Sequence, residues 1–151
     1  MSNIKTIRNI RSLLLGQVKG LSIEHFNQIP RGFNNNIAWN LGHLIAVQQG
    51  ICYKKAGLPI LISDDFWEKF RSGSKPDGIF SEGDMADIRQ LLVFTVDQLE
   101  TDYNNHAFDN YNAWSTRIGT RVAGIDDGLE FLLFHEKLHA GTIATQKKLV
   151  I

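Results

Sequence analysis

The sequence predicts an all-α fold, a four-helix bundle with long connections, on three observations. Four long stretches repeat apolar residues at helical spacing. Two long irregular connections separate them, and only Ile60-Leu61-Ile62 and the run from Arg117 to Val122 have strand character. No internal repeat, low-complexity tract or linker divides the chain, so residues 1–151 are expected to form a single domain with its own core.

The first helix is predicted from about Asn3 to Lys19, with Ile4, Ile7, Leu14 and Val18 on one stripe. Gly20 ends it, and Ser22 caps a short turn through Phe26. A loop follows through Pro30-Arg31-Gly32 and Asn34-Asn35-Asn36. Asn36 is the expected N-cap of the second long helix, about Ile37 to Lys55, which Gly57 and Pro59 stop. The connection that follows, to about Phe80, holds a short helix over Asp64–Phe70 and a turn-rich run from Ser72 to Gly78. Ser81 opens the third helix, with Asp84 completing a capping box and Met85, Ile88, Leu92, Thr95 and Leu99 facing inward as far as Tyr103. A second irregular stretch covers Asn104 to Gly124. The last helix runs from about Ile125 to Leu149. Asp126 and Asp127 suit the positive end of its dipole, and Lys147 and Lys148 the negative end. Its inward stripe reads Leu129, Leu132, His135 or Glu136, His139, Ile143 and Gln146.

Composition narrows the function. Hydrophobic residues make up 43% and charged residues 21%, and the 16 Lys and Arg balance the 16 Asp and Glu. Duplex binding usually shows as a basic excess, so no nucleic-acid partner is expected. No apolar run approaches the roughly 20 residues that span a bilayer, so no membrane association is expected. The first residues mix charge with apolar side chains and lack a signal-peptide core. One cysteine, Cys52, forms no internal disulfide and reads as a small buried hydrophobe. These features together predict a cytoplasmic protein.

The chemistry concentrates in Phe134-His-Glu-Lys-Leu-His-Ala-Gly141. His135 and His139, four residues apart on a helix, project from one face and can grip one metal ion. The segment also spells the His-Glu-x-x-His pattern of zinc proteases. Those proteases need a third ligand downstream, yet the twelve residues after His139 contain no His, Asp or Glu. A third ligand must come from upstream. His43, mid-helix in Ala38-Trp39-Asn40-Leu41-Gly42-His43-Leu44-Ile45, is the best candidate, although alone it would also read as a hydrogen-bonded core histidine. His25 and His106 lie in or beside irregular segments and are weaker candidates.

The pairing of Trp39-Asn-Leu-Gly-His-Leu44 on one helix with His-Glu-x-x-His-x-Gly on the last resembles the DinB-like family, also described with the YfiT-like metal-dependent proteins. The resemblance covers nearly the whole chain. It implies an up-down-down-up bundle, a divalent metal held by His43, His135 and His139, zinc or nickel as the commonest ions, and a homodimer. The chain departs from many relatives after the last histidine, where Ala140-Gly-Thr-Ile143 stands in place of Gly-Gln-Ile. Three histidines alone also suit cobalt, iron(II) or copper.

Three neutral imidazoles leave a divalent ion its full charge and an open position for water or a thiolate. The resemblance implies a thiol S-transferase acting on a small molecule, with a low-molecular-weight thiol such as bacillithiol, mycothiol or glutathione as a partner. Metal-assisted hydrolysis is the near alternative. The rival from another class is a non-catalytic dimeric bundle stapled by metal. Glu136 is the nearest candidate for a general base. Asn40 is a candidate to support a ligand, and Thr142 and Gln146 are candidates to line the cavity or to lie at the surface. Trp39 and Trp114 read as core or pocket wall, Arg117 and Arg121 as solvated loop cations or anion contacts. Asp64-Asp65 and Asp126-Asp127 read as helix-start residues.

Overall fold

Side-chain caps mark where the four middle helices start. In the computed structural model, which describes residues 2–151, α1 spans Ser2–Val18 and a short α2 spans Ile23–Asn27. Ser22 caps α2 in a reciprocal capping box with His25. Asn36 accepts from the Trp39 amide to open α3, Ile37–Gln48. Ser63 caps α4, Asp64–Phe70, and Ser81 with Asp84 forms the predicted box at α5, Glu82–Asn104. The last helix, α6, spans Ile125–Val150; its first residue follows Gly124, and Asp127 reaches back to accept from the Ala123 amide.

The second long helix reaches its predicted end in a different form. After Gln48 the chain widens into a π-helical turn, Gln49–Tyr53, and tightens into a 3-10 turn, Lys54–Ala56. The Ile60-Leu61-Ile62 triplet forms no strand; the Leu61 amide donates instead to the Gln49 side chain. Of the second strand candidate only its end is extended. Arg121–Val122 (β2) pairs antiparallel with Trp114–Ser115 (β1), and residues 116–120 form the turn between them.

Helix directions follow from which apolar residues meet. At one end Leu14 and Val18 of α1 join Ile37 and Leu41 of α3, Met85 and Ile88 of α5, and Ile143 and Val150 of α6. At the other end Ile4 and Ile7 join Val47, Val96, Leu99, Leu129 and Leu132. So α1 and α6 run one way, α3 and α5 the other, in the up-down-down-up order. Both α1 and α3 pack on α5 and α6. Parallel α3 and α5 need a crossover that travels the length of the bundle. The connection carrying α4 provides it, and α4 packs on α3.

Arg11 lies midway between the two apolar ends, and it occupies the gap in the α1 stripe between Ile7 and Leu14. Its guanidinium donates to Glu136 Oε1 at 2.6 Å, to Thr95 Oγ1 at 2.9 Å and to the Leu92 and Leu44 carbonyls. All four bundle helices therefore meet at one buried cation.

Candidate metal centre

His43 on α3 and the pair His135 and His139 on α6 converge where α3 crosses α6. One ring nitrogen from each lies within 4.8 Å of the others. His43 and His135 face each other through their Nε2 atoms at 3.2 Å.

Local sequence sets each ring. Gly42 has no side chain, and a Cβ there would lie 2.4 Å from the Phe70 ring. Its absence lets Phe70 press against α3, which brings the Phe70 carbonyl to 2.7 Å from His43 Nδ1. A carbonyl only accepts, so Nδ1 carries the proton and Nε2 presents a bare lone pair to the cluster. Trp39, one turn earlier, stacks on the imidazole at 4.4 Å between centroids and fixes its plane. His139 is tied in the same manner: its Nδ1 donates to Asn40 Oδ1 at 2.8 Å. Asn40 is itself held, since its amide nitrogen donates to the Asn36 carbonyl and to Gln146 Oε1. Gln146 in turn donates to Asn35. His135 is the least constrained ring, its Nδ1 buried without a partner among the described residues.

Electrostatics favour neutral rings. Burial lowers the pKa of His43, drives His135 down to about 2 and takes His139 to about 4, with the neighbouring imidazoles adding to the last two shifts. Neutral imidazole is the form that ligates a cation. The donor set fits a divalent ion in a second respect. Two imidazole nitrogens about 2.0–2.1 Å from one ion at tetrahedral angles lie roughly 3.3 Å apart, close to the spacing of the facing Nε2 atoms. The outer bonds of His43 and His139 are of the kind that orient metal-ligating imidazoles. Among the described residues the cluster holds three such groups and no fourth.

Glu136 does not join the three histidines. One residue on from His135, it projects about 100° round the helix from that histidine, is fully buried, and gives Oε1 to Arg11. His25 is spent in the α2 cap, and His106 is exposed in a turn after α5. Thr142 bonds back to the Leu138 carbonyl, whereas Gln146 is buried in the network behind His139. Asp64 and Asp65 sit in the first turn of α4; Asp126 accepts from the Tyr103 hydroxyl. Cys52 is buried, and loss of solvation pushes its thiol up to about 12, which makes it inert. Sequence reasoning missed the Phe70 carbonyl and Asn35, whose roles depend on tertiary placement. It also missed Arg11, although its place on the apolar stripe of α1 was a visible signal.

His135 opens onto a cleft of about 730 Å³ between the π turn, α4, the β1–β2 turn and α6. Trp67, Trp114, Phe131 and Phe134 form much of its wall, with Lys54, Lys55, Arg71 and Arg117 among its polar residues. Trp114 is held in place by donating to the Tyr111 hydroxyl, which donates to the Ile51 carbonyl. Arg121 lies on β2, outside this lining.

Fold and site together define a helical-bundle protein with a three-histidine cluster able to hold a metal ion beside a cleft. The profile of the DinB superfamily matches residues 6–143, and the chain belongs to that superfamily. No curated protein matches the sequence at a significant level. No helix among the described residues is long and apolar enough to cross a membrane.

Proposed function

We propose that the protein is a metal-dependent enzyme of the thiol S-transferase type, with zinc or nickel held by His43, His135 and His139. The observation that carries the reading is the position of His135, shared between the three-histidine cluster and the wall of the cleft. A structural site is closed by four protein ligands, whereas this cluster has three. When bound, a divalent ion supplies positive charge that favours the ionised form of a nearby thiol.

The chain's own residues define the remaining roles. Phe70 and Asn40 keep the ligand nitrogens of His43 and His139 unprotonated by holding the proton on the opposite ring nitrogen. The aromatic walls offer apolar surface from which a bound substrate would displace water. No Asp or Glu lines the cleft, and Glu136 is held by Arg11, so no carboxylate stands ready to activate water. A thiol needs less help, because its ordinary pKa is about 8.5. In the transfer, the thiolate sulfur forms a bond to an electrophilic carbon of the acceptor. The bond from that carbon to its leaving group breaks, the leaving group takes the electron pair, and the thiol proton passes to solvent. Homodimerisation and a cytoplasmic location accompany this proposal.

The test is a conjugation assay on protein stripped with a chelator and reloaded with zinc or nickel, run with several low-molecular-weight thiols and electrophiles. Metal-dependent conjugation that disappears in His43→Ala is the expected result. A loaded wild-type protein no faster than buffer across the panel would overturn the reading, and hydrolysis of the electrophile without thiol incorporation would replace it with a hydrolase.

A further inference from the structure

The chain is electrically neutral overall, yet the cleft beside His135 is charged with one sign. Lys54, Lys55, Arg71 and Arg117 line it, and no Asp or Glu does. Arg71 is paired with Glu68 outside the lining. Lys54, Lys55 and Arg117 have no carboxylate partner among the described residues. Three unneutralised cations therefore share one opening.

Their placement is tied to the apolar walls. Lys54 Nζ lies 4.2 Å from the centroid of the Trp67 ring, and Lys55 Nζ lies 4.9 Å from that of Trp114. Both distances fall within the range of cation–π attraction, which holds each ammonium at the edge of the cleft. Adjacent lysines reach two different aromatic walls because neighbours on the 3-10 turn project about 120° apart. Gly50 in that turn makes room for one wall, since a Cβ there would lie 2.9 Å from the Trp67 ring. Phe134 and Ile118 stay exposed beside the opening, 65% and 89% accessible, and extend its apolar surface.

We propose that the cleft binds an amphipathic organic anion, a small molecule with an apolar body and a carboxylate, sulfonate or phosphate end. The body lies against Trp67, Trp114 and Phe131, and the anionic end meets Lys54, Lys55 and Arg117. The molecule is the acceptor substrate, with its reacting carbon directed towards His135. Calling it a substrate rests on the proposed metal-dependent activity; its binding does not.

The experiment titrates chelator-stripped protein with three probes of matched shape, phenylbutyrate, phenylbutanol and phenylbutylamine, by calorimetry near neutral pH. Phenylbutyrate is expected to bind most tightly and the amine most weakly. The double variant Lys54→Gln, Lys55→Gln should weaken phenylbutyrate on the order of tenfold while leaving the alcohol unchanged. Arg117→Gln, on an exposed turn, should act in the same direction by a smaller factor, and Trp114→Ala should weaken acid and alcohol alike. Added salt should weaken only the acid. An alcohol or amine that binds as tightly as the acid overturns the proposal, as does a double variant with the wild-type preference. Anion binding by a protein that never retains metal would leave this site standing and sink the proposed activity. Metal loading without anion preference would do the reverse.

Discussion

Two polar clusters lie within the apolar interior of this bundle, and neighbouring residues of α6 separate them. Glu136 belongs to one and His135 to the other. The Glu136 cluster is built round a cation of the chain's own: Arg11 spends its donors on Glu136 Oε1, Thr95 and two carbonyls, and both side chains of the pair are almost fully buried, with Glu136 Oε2 left without a hydrogen-bond partner among the described residues. The histidine cluster is tied on its outer side only. Phe70 and Asn40 take the Nδ1 protons of His43 and His139, and the facing nitrogens are left to one another. A carboxylate engaged by a buried guanidinium serves the fold, whereas the lone pair that His43 Nε2 turns to His135 Nε2 is one that a cation can take over. Burial alone does not separate the two cases; a cationic side chain, Arg11, belongs to the first cluster and none belongs to the second among the described residues.

The largest expected effect lies in the Glu136 cluster. Glu136→Ala leaves Arg11 as a buried charge without its carboxylate and should cost about 3–5 kcal/mol in urea unfolding. The double variant Arg11→Met, Glu136→Leu should cost clearly less than the sum of the single changes. A near-neutral Glu136→Ala would show that the pair is solvated and would erase the contrast between the clusters.

In the histidine cluster the same logic predicts loss of metal with little loss of fold. Asn40→Ala removes the acceptor that sets the His139 tautomer, and metal affinity should fall about 10–100-fold, read by competition with a chelating dye. Gly42→Ala forces the Phe70 ring away from α3 and should cost about 1–3 kcal/mol, with weaker metal binding as the His43 Nδ1 bond lengthens. Unchanged metal affinity in both variants would mean that the outer hydrogen bonds do not orient the rings.

The third comparison is in pH dependence. Unfolded imidazoles titrate near 6.5, whereas folded His139 titrates at about 4 and His135 at about 2. Between pH 6.5 and pH 4 the unfolded chain therefore binds more protons, and metal-free stability falls as pH falls through that window. Above pH 6.5 both forms are neutral and these groups contribute no slope. His139→Gln should flatten the acid limb of a stability–pH curve; an unchanged slope would place the burial effect elsewhere.

Much of this was legible in the sequence because it is written in local patterns. The caps at Ser22, Asn36 and Ser81 and the apolar stripe of α5 follow from spacing a few residues long. The grouping of His43, His135 and His139 was legible from one pair at four-residue spacing and one motif on α3. The π turn at Gln49–Tyr53 was not; its contacts, Gly50 beneath Trp67 of α4 and the Gln49 side chain on the Leu61 amide, are tertiary and leave no local pattern. The β1–β2 pairing was also hidden, because two-residue strands carry no alternation to detect. The choice between His135 and Glu136 on the inward stripe of α6 could not be made from periodicity. The structure divides the two residues: Glu136 turns to Arg11, and His135 turns to His43.

Metal titration of chelator-stripped protein, with bound zinc and nickel counted by elemental analysis in wild type and in the single variants His43→Ala, His135→Ala and His139→Ala, tests the central claim most directly. A single tightly held ion per wild-type chain is expected, and its loss from each variant while circular dichroism still reports a folded helical bundle. Wild-type protein that retains no ion under any loading condition, or variants that retain as much as wild type, would contradict it.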